Sequence, residues 1–400
     1  MEEPILITGA GIVSAIGLNK QEALESLLLR RSGIGPVRYL QTAHTEFPVG
    51  EVKLSNSEIR SILGIADTAP TIRTALLGML ALKEALADAN MAEQEMSEAA
   101  FISGTTVGGM DKSERYYLDF LATDNYNAYI ATHDCGASSE LIADHFGRFG
   151  FVATPSTACS SAANAIIVGA NMIRSGMADI VVAGGSECLT RFHLNGFNSL
   201  MILDREPCRP FDAARAGLNL GEGAAYVVLE RASSAMKRRV KPLARLNGYG
   251  NACDAFHQTA SSPDGDGAYI AMQEALTDAG LAPQEIHYIN AHGTGTPNND
   301  ASESRAMQRL FGGQVPPVSS TKSFTGHTTS ASGAIETVIC ILALQHQFLP
   351  VNLHWRHPIE GGIVPVTDSR PSREIRHVLC NSFGFGGNDS SLVLSKYDER

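Results

Sequence analysis

One cysteine, Cys159, lies in the run Pro155-Ser156-Thr157-Ala158-Cys159-Ser160-Ser161-Ala162-Ala163-Asn164-Ala165, ahead of Ile166, Ile167, Val168 and Gly169. The apolar spacing after it predicts a helix capped by Ser156 or Thr157, which puts Cys159 in the first turn. Free backbone N–H groups and the helix dipole favour an anion there, so a thiolate forms more easily. The small neighbours let a substrate or another backbone come close. A lone cysteine of this kind is also compatible with a buried structural thiol. Three later motifs change the balance. Asn290-Ala291-His292-Gly293-Thr294-Gly295-Thr296-Pro297 follows the apolar run Ile286–Ile289. This places a histidine on a loop at a sheet edge, where ligands bind in open α/β folds. Ser320-Thr321-Lys322-Ser323-Phe324-Thr325-Gly326-His327 brings a second histidine, and Asn381-Ser382-Phe383-Gly384-Phe385-Gly386-Gly387 follows a further strand. Each could be structural alone; together they supply a nucleophile and two histidines, residue types used in covalent catalysis.

The elements that must position these residues alternate between strand and helix. Strands are expected at Pro4–Thr8, Ala100–Ser103, Asp179–Ala183, Ala224–Leu229, Pro242–Leu246, Ile286–Ile289, His377–Cys380 and Ser391–Leu394, and helices at Gln21–Arg31, Ala69–Asn90 and Gly267–Gly280. Such alternation implies largely parallel sheets covered on both faces. Gly9-Ala10-Gly11 reads as a turn after the first strand; it is no dinucleotide fingerprint, because position 14 is Ser14. The basic stretch around Lys237, Arg238 and Arg239 marks the boundary between an N-terminal half, 1–238, and a C-terminal half, 239–400. The halves echo each other: each opens on a strand and a glycine turn and later carries a helix of small residues, one starting at Cys159 and the other at His327. Two small-faced helices can pack back to back and bring these residues to one site.

Composition narrows the function. The chain has 400 residues, 44% of them hydrophobic, which is ample for a large core. Thirty-eight glycines against one tryptophan suit a compact α/β enzyme. A net charge of −11 argues against general binding to nucleic acid or an anionic membrane. The seven cysteines are scattered without a CxxC pair, against a zinc site or a disulfide framework and in keeping with a reducing cytoplasm. The acidic N-terminus does not read as a signal peptide, and no apolar run reaches the roughly 20 residues that span a bilayer.

The ordered motifs TACSS, NAHGTGTP, TKSFTGH and NSFGFGG resemble those of the β-ketoacyl-acyl carrier protein synthases of the elongating, Cys-His-His type. The resemblance runs from Ile5-Leu6-Ile7-Thr8-Gly9 to Leu392-Val393-Leu394 and includes Arg209-Pro210-Phe211-Asp212 and Gly221-Glu222-Gly223. It implies a thiolase-like fold, two similar halves in five αβαβα layers, and a homodimer or a heterodimer with a related subunit. It implies a decarboxylative condensation of an acyl-enzyme with malonyl-acyl carrier protein, with no bound cofactor or metal. Cys159 would carry the acyl chain, and His292 and His327 would donate to the malonyl thioester oxygen. The backbone N–H groups of Cys159 and Phe385 would form the oxyanion hole. Lys322 would tune His327 and pair with Glu336, Phe383 and Phe385 would gate the acyl pocket, and Thr294 and Thr296 would hold the pantetheine arm. An acidic carrier protein would dock on a basic patch, for which Arg209 and Arg215 are candidates.

The chain departs from the commonest family pattern at two places. Gly-Ala-Ala-Gly becomes Ser330-Ala331-Ser332-Gly333, and Gly-Gly-Thr-Asn becomes Gly386-Gly387-Asn388-Asp389. Neither is expected to touch the triad; with the glycine-centred HGTGTP they leave fatty-acid and polyene or polyketide pathways open. A non-catalytic chain-length factor would lack the nucleophile. A thiolase acting on coenzyme A esters disagrees with the two-histidine pattern, and a Cys-His hydrolase of another fold would not explain TKSFTGH or GFGG.

Overall fold

The computed structural model describes residues 3–123, 125–147 and 149–398. Ten strands are hydrogen-bonded in the order β3-β2-β4-β5-β1-β6-β10-β9-β7-β8. In chain order these are β1 (Ile5–Ser14), β2 (Ala100–Gly104), β3 (Phe151–Ala153), β4 (Ile180–Glu187), β5 (Gly223–Arg231), β6 (Ala244–Cys253), β7 (Tyr288–Asn290), β8 (Val318–Ser319), β9 (His377–Gly384) and β10 (Asn388–Ser395). Read outward from the centre, β1-β5-β4-β2-β3 and β6-β10-β9-β7-β8 repeat one pattern: two antiparallel pairings, then two parallel ones. The centre is a short antiparallel pairing in which Ile5, Leu6 and Ile7 face Leu246, Arg245 and Ala244.

Period-two alternation divides each strand between two apolar layers. Along β5, Ala225, Val227 and Leu229 join a central cluster, and Ala224, Tyr226 and Val228 join an outer one. The outer cluster is covered by α1 (Arg73–Asp88). The central cluster holds α2 (Ser161–Arg174) and, from the second half, α6 (Ser332–His346). On the far side α4 (Asp266–Ala279) covers a third cluster with Leu379 and Val393. Helix, strand, helix, strand, helix is the resulting layering, the five-layer α/β architecture. Two further helices flank the site, α3 (Arg191–Ser199) and α5 (Pro297–Phe311). Among the described residues no helix is long and apolar enough to cross a membrane.

Gly9-Ala10-Gly11 is not a turn. The strand runs through it to Ser14, and the glycines admit α1: a Cβ on Gly9 would lie 2.5 Å from the Ala85 carbonyl oxygen, and one on Gly11 2.1 Å from that of Ala81. Gly248 and Gly250 on β6 meet α4 in the same way, at 2.4 Å from Ala279 N and 2.2 Å from Ala271 O. The paired glycines therefore mark close strand–helix contact in both halves. The small-faced helices α2 and α6 also meet closely, since a Cβ on Gly333 would come within 2.8 Å of Ala163.

Candidate active site

Cys159 does not sit in the first α-turn, and neither Ser156 nor Thr157 caps its helix. It is the middle residue of a 3-10 turn, Ala158–Ser160, that leads into α2. Ser161 holds this turn together by donating its hydroxyl to the Ala158 carbonyl and accepting from Thr157 N–H. The helix terminus does not yield a ready thiolate either. Burial dominates and pushes the Cys159 thiol up to about 11, against the opposing pull of the Lys322 charge and the Phe385 N–H bonded to its sulfur.

His327 reaches this thiol from the other half. Its Nε2 lies 3.1 Å from Cys159 Sγ, and its Nδ1 lies 3.0 Å from the Ser332 hydroxyl. His292 stands beside it, with ring centroids 5.2 Å apart and planes at 84°. Burial, reinforced by the Lys322 charge, holds both imidazoles well below the usual histidine range, so both are neutral near pH 7. Lys322 Nζ is 3.3 Å from His292 Nδ1 and 2.5 Å from Glu336 Oε1. A lysine ammonium only donates, so it occupies Nδ1 as an acceptor and leaves the ring proton of His292 on Nε2. The sulfur and the ring nitrogens of these three residues lie within 4.8 Å of one another, as in a metal centre. The donor set fits a cation poorly, because Lys322 puts positive charge beside one imidazole where a metal-bound histidine ordinarily has a carboxylate or carbonyl.

The remaining motif residues converge on the same place. Cys159, His292, His327, Thr294, Thr296 and Phe383, with Phe385 and Phe197, line a cavity of about 380 Å³. Thr294 and Thr296 share a 2.9 Å hydroxyl hydrogen bond. Phe383 lies inside β9, not on a loop, and is buried against His292 at 6.0 Å between rings. Only Phe385, Gly386 and Gly387 form the β9–β10 turn, and the Phe385 ring stacks on Phe197 of α3 at 5.7 Å. Asn388 donates its side-chain amide to the Phe385 carbonyl. Arg215 does not offer a docking surface: its guanidinium is turned inward to the carbonyls of Asp212, Thr296 and Pro297 and to Asp300, bracing the threonine loop. Arg209 is partly exposed and faces Asp204 at 3.6 Å.

Four residues that the motifs did not single out complete the site. Glu303 on α5 accepts from the N–H groups of His292 and Gly293, at 2.9 and 2.8 Å, and so fixes the histidine loop. Its acid spacing after HGTGTP on a helical stretch was the available signal. Glu187, buried behind Cys159, accepts from Thr105, Thr106 and Ser330 and faces His193 at 3.7 Å. Burial moves this pair in opposite senses, raising Glu187 to about 7 and lowering His193 to about 4. Ser332 is the fourth. Contrary to expectation, the variant segment Ser330-Ala331-Ser332 does reach the triad, through the Ser332 hydroxyl on His327.

The family descriptions "Beta-ketoacyl synthase, N-terminal domain" and "Beta-ketoacyl synthase, C-terminal domain" match residues 2–235 and 243–356. The chain belongs to this family. It is 33% identical to the 3-oxoacyl-[acyl-carrier-protein] synthase 2 of Coxiella burnetii over 409 residues, 98% of each chain. It is equally 33% identical to nodulation protein E of Rhizobium meliloti over 413 residues, 99% of this chain and all of the relative. The solved ishigamide ketosynthase/chain length factor matches with a TM-score of 0.93 and 30% identity, covering 100% of both chains. The thiolase-like fold and the Cys-His-His resemblance hold. As a β-ketoacyl synthase the enzyme condenses an acyl group with malonyl-acyl carrier protein to a 3-ketoacyl product, in fatty-acid or polyketide synthesis. Neither the chain-length-factor nor the thiolase alternative is favoured.

Proposed function

We propose that Cys159 is the acylated nucleophile and that His292 and His327 serve the malonyl half of the condensation. The observation that supports this most is the 3.1 Å approach of His327 Nε2 to Cys159 Sγ inside a buried cavity that also holds His292. Cys159 sulfur attacks the carbonyl of an acyl-pantetheine thioester; the pantetheine sulfur leaves and the acyl group stays on the enzyme. The malonyl thioester then enters past Thr294 and Thr296. As carbon dioxide departs, the N–H groups of His292 and His327 hold the enolate oxygen. The carbanion attacks the acyl-Cys159 carbonyl, whose oxygen meets the N–H groups of Cys159 and Phe385. Lys322 and Glu336 keep His292 in the donor tautomer. Phe385 stacked on Phe197, with Phe383 fixed in β9, closes the acyl side, so the moving part is the Phe385–Gly387 turn.

The proposed mechanism works from side chains and backbone N–H groups, with substrates on the phosphopantetheine of a carrier protein and no resident cofactor. The mirrored strand order supports division at 238/239. The enzyme works in a reducing cytoplasm as a homodimer, or, as the likeness to a ketosynthase/chain length factor suggests, as a heterodimer with a related subunit. Arg209 is retained as a docking residue and Arg215 as an internal brace. The test is incubation with acyl- and malonyl-carrier protein. Wild type should form an acyl-Cys159 adduct, release carbon dioxide and give 3-ketoacyl product. Cys159→Ala should lose all acyl transfer while still decarboxylating malonyl-carrier protein. An adduct on another cysteine would overturn the assignment.

A further inference from the structure

Ser332 opens α6. Its hydroxyl lies 3.0 Å from His327 Nδ1 and 3.1 Å from Thr328 Oγ1, and all three residues are buried. Among the described residues it is the hydrogen-bond partner of Nδ1, while Nε2 faces Cys159. We infer that Ser332 is a positioning residue whose hydroxyl serves both tautomers of His327, letting one ring act as base in acylation and as N–H donor in condensation. This rests on the roles proposed above for Cys159 as nucleophile and His327 as donor in condensation, to which it adds that of base in acylation.

The two half-reactions ask for opposite states of Nε2. To take the Cys159 thiol proton, Nε2 must be bare. The ring proton is then on Nδ1, which donates to Ser332 Oγ while the serine proton turns toward Thr328 Oγ1. The thiolate forms the new carbon–sulfur bond; the pantetheine sulfur leaves with the electron pair of the broken bond and takes the proton from Nε2. To hold the enolate, Nε2 must carry a proton, and Nδ1 then accepts from the Ser332 hydroxyl. Between the steps the neutral ring loses one proton at Nδ1 and gains one at Nε2, with water that enters as the thiol departs acting as carrier; the net change is zero. A hydroxyl has one donor and two acceptor sites and rotates freely, so it satisfies either state. His292 has no such partner: Lys322 can only donate to it, which fixes it as a donor. The two histidines are thereby divided into one fixed and one switchable ring.

Replacing Ser332 by alanine leaves Nδ1 alone in a buried site. A buried N–H without a partner is costlier and rarer than an unused acceptor, so the ring settles with its proton on Nε2. Ser332→Ala should therefore slow acylation of Cys159 by about tenfold, the loss of roughly one buried hydrogen bond. Decarboxylation of malonyl-carrier protein, measured for Ser332→Ala in the Cys159→Ala background, should stay within about twofold of Cys159→Ala alone, which also reports that the site is folded. Ser332→Thr keeps the hydroxyl and should restore acylation. Wild-type acylation by Ser332→Ala, or equal loss of both half-reactions without rescue by Ser332→Thr, would overturn the inference. A wild-type enzyme that never acylates Cys159 would instead overturn the function on which it rests.

Discussion

The chain leads into a central helix twice by the same route. In the first half β3 leads to Ala158, at φ +53°, then the 3-10 turn Ala158–Ser160 and α2; in the second, β8 leads through a short helix, Lys322–Thr325, to Thr329, at φ +45°, then Thr329–Ala331 and α6. Position for position, Cys159 corresponds to Ser330 and Ser161 to Ser332. The histidine is not the counterpart of the cysteine, as the sequence echo implied, but lies three residues earlier in its frame. Each of these 3-10 turns holds a non-glycine residue in the left-handed region, a cost of about 1–3 kcal/mol that the packing around it sustains. The shared frame carries unlike chemistry. Cys159 faces His327, whereas Ser330 donates to Glu187. Ser161 closes its own turn, whereas Ser332 reaches out to a ring nitrogen. The turn before a helix supplies position; reactivity comes from what the opposite half places against it.

The largest effect should come from moving the thiol across this symmetry. Cys159→Ala combined with Ser330→Cys should show no acylation by mass spectrometry, because a thiol at 330 meets a carboxylate instead of His327; recovery of acyl transfer would make the two turns chemically interchangeable. Next, His292→Ala and His327→Ala should each cost decarboxylation about a hundredfold to a thousandfold, the usual loss for one donor to a developing oxyanion. Stopped-flow detection of carbon dioxide at wild-type rates in both variants would break the two-donor site. The helix contact is a smaller effect. Gly333→Ala forces a Cβ to 2.8 Å from Ala163 and should destabilise the fold by about 1–3 kcal/mol, seen as a lower Tm; unchanged melting would mean that the two helices yield at no cost. Smallest is the pH dependence of alkylation. With the thiol pushed up to about 11 by burial, the rate of iodoacetamide labelling at Cys159 should keep rising from pH 7 to pH 10. A plateau below pH 8 would show the helix terminus outweighing burial.

What was legible in the sequence was whatever is local. Asp179–Ala183 and Ala224–Leu229 read as strands because buried β-branched runs have few other uses, and the observed strands β4 and β5 cover them, apart from Asp179 at the edge of β4. The motifs gave Cys159, His292 and His327 because each reactive residue travels with the glycines and small residues that its own loop needs. Gly9-Ala10-Gly11 was misread as a turn because glycine marks a close approach as readily as a reversal, and only the position of α1 distinguishes them. Glu187, Glu303 and Ser332 were missed for a related reason. Polar residues on helices or strands look solvent-facing until the elements that bury them are placed. Arg215 failed in the opposite sense, since a sequence shows its charge and not its direction.

The position of β1 at the middle of the strand order has a consequence for how the enzyme is made. Its partners are β5 and β6, so Ile5 must wait for Arg231 and Leu246. At a synthesis rate of about 5–20 residues per second, β1 stays unpaired on both edges for roughly ten to fifty seconds after it is made. Such long-range pairing folds slowly and leaves apolar edges open to association. The nascent N-terminal half should therefore be the part most dependent on chaperones, and truncation before β6 should release chains that aggregate, although Cys159 and the helix that carries it have already been synthesised.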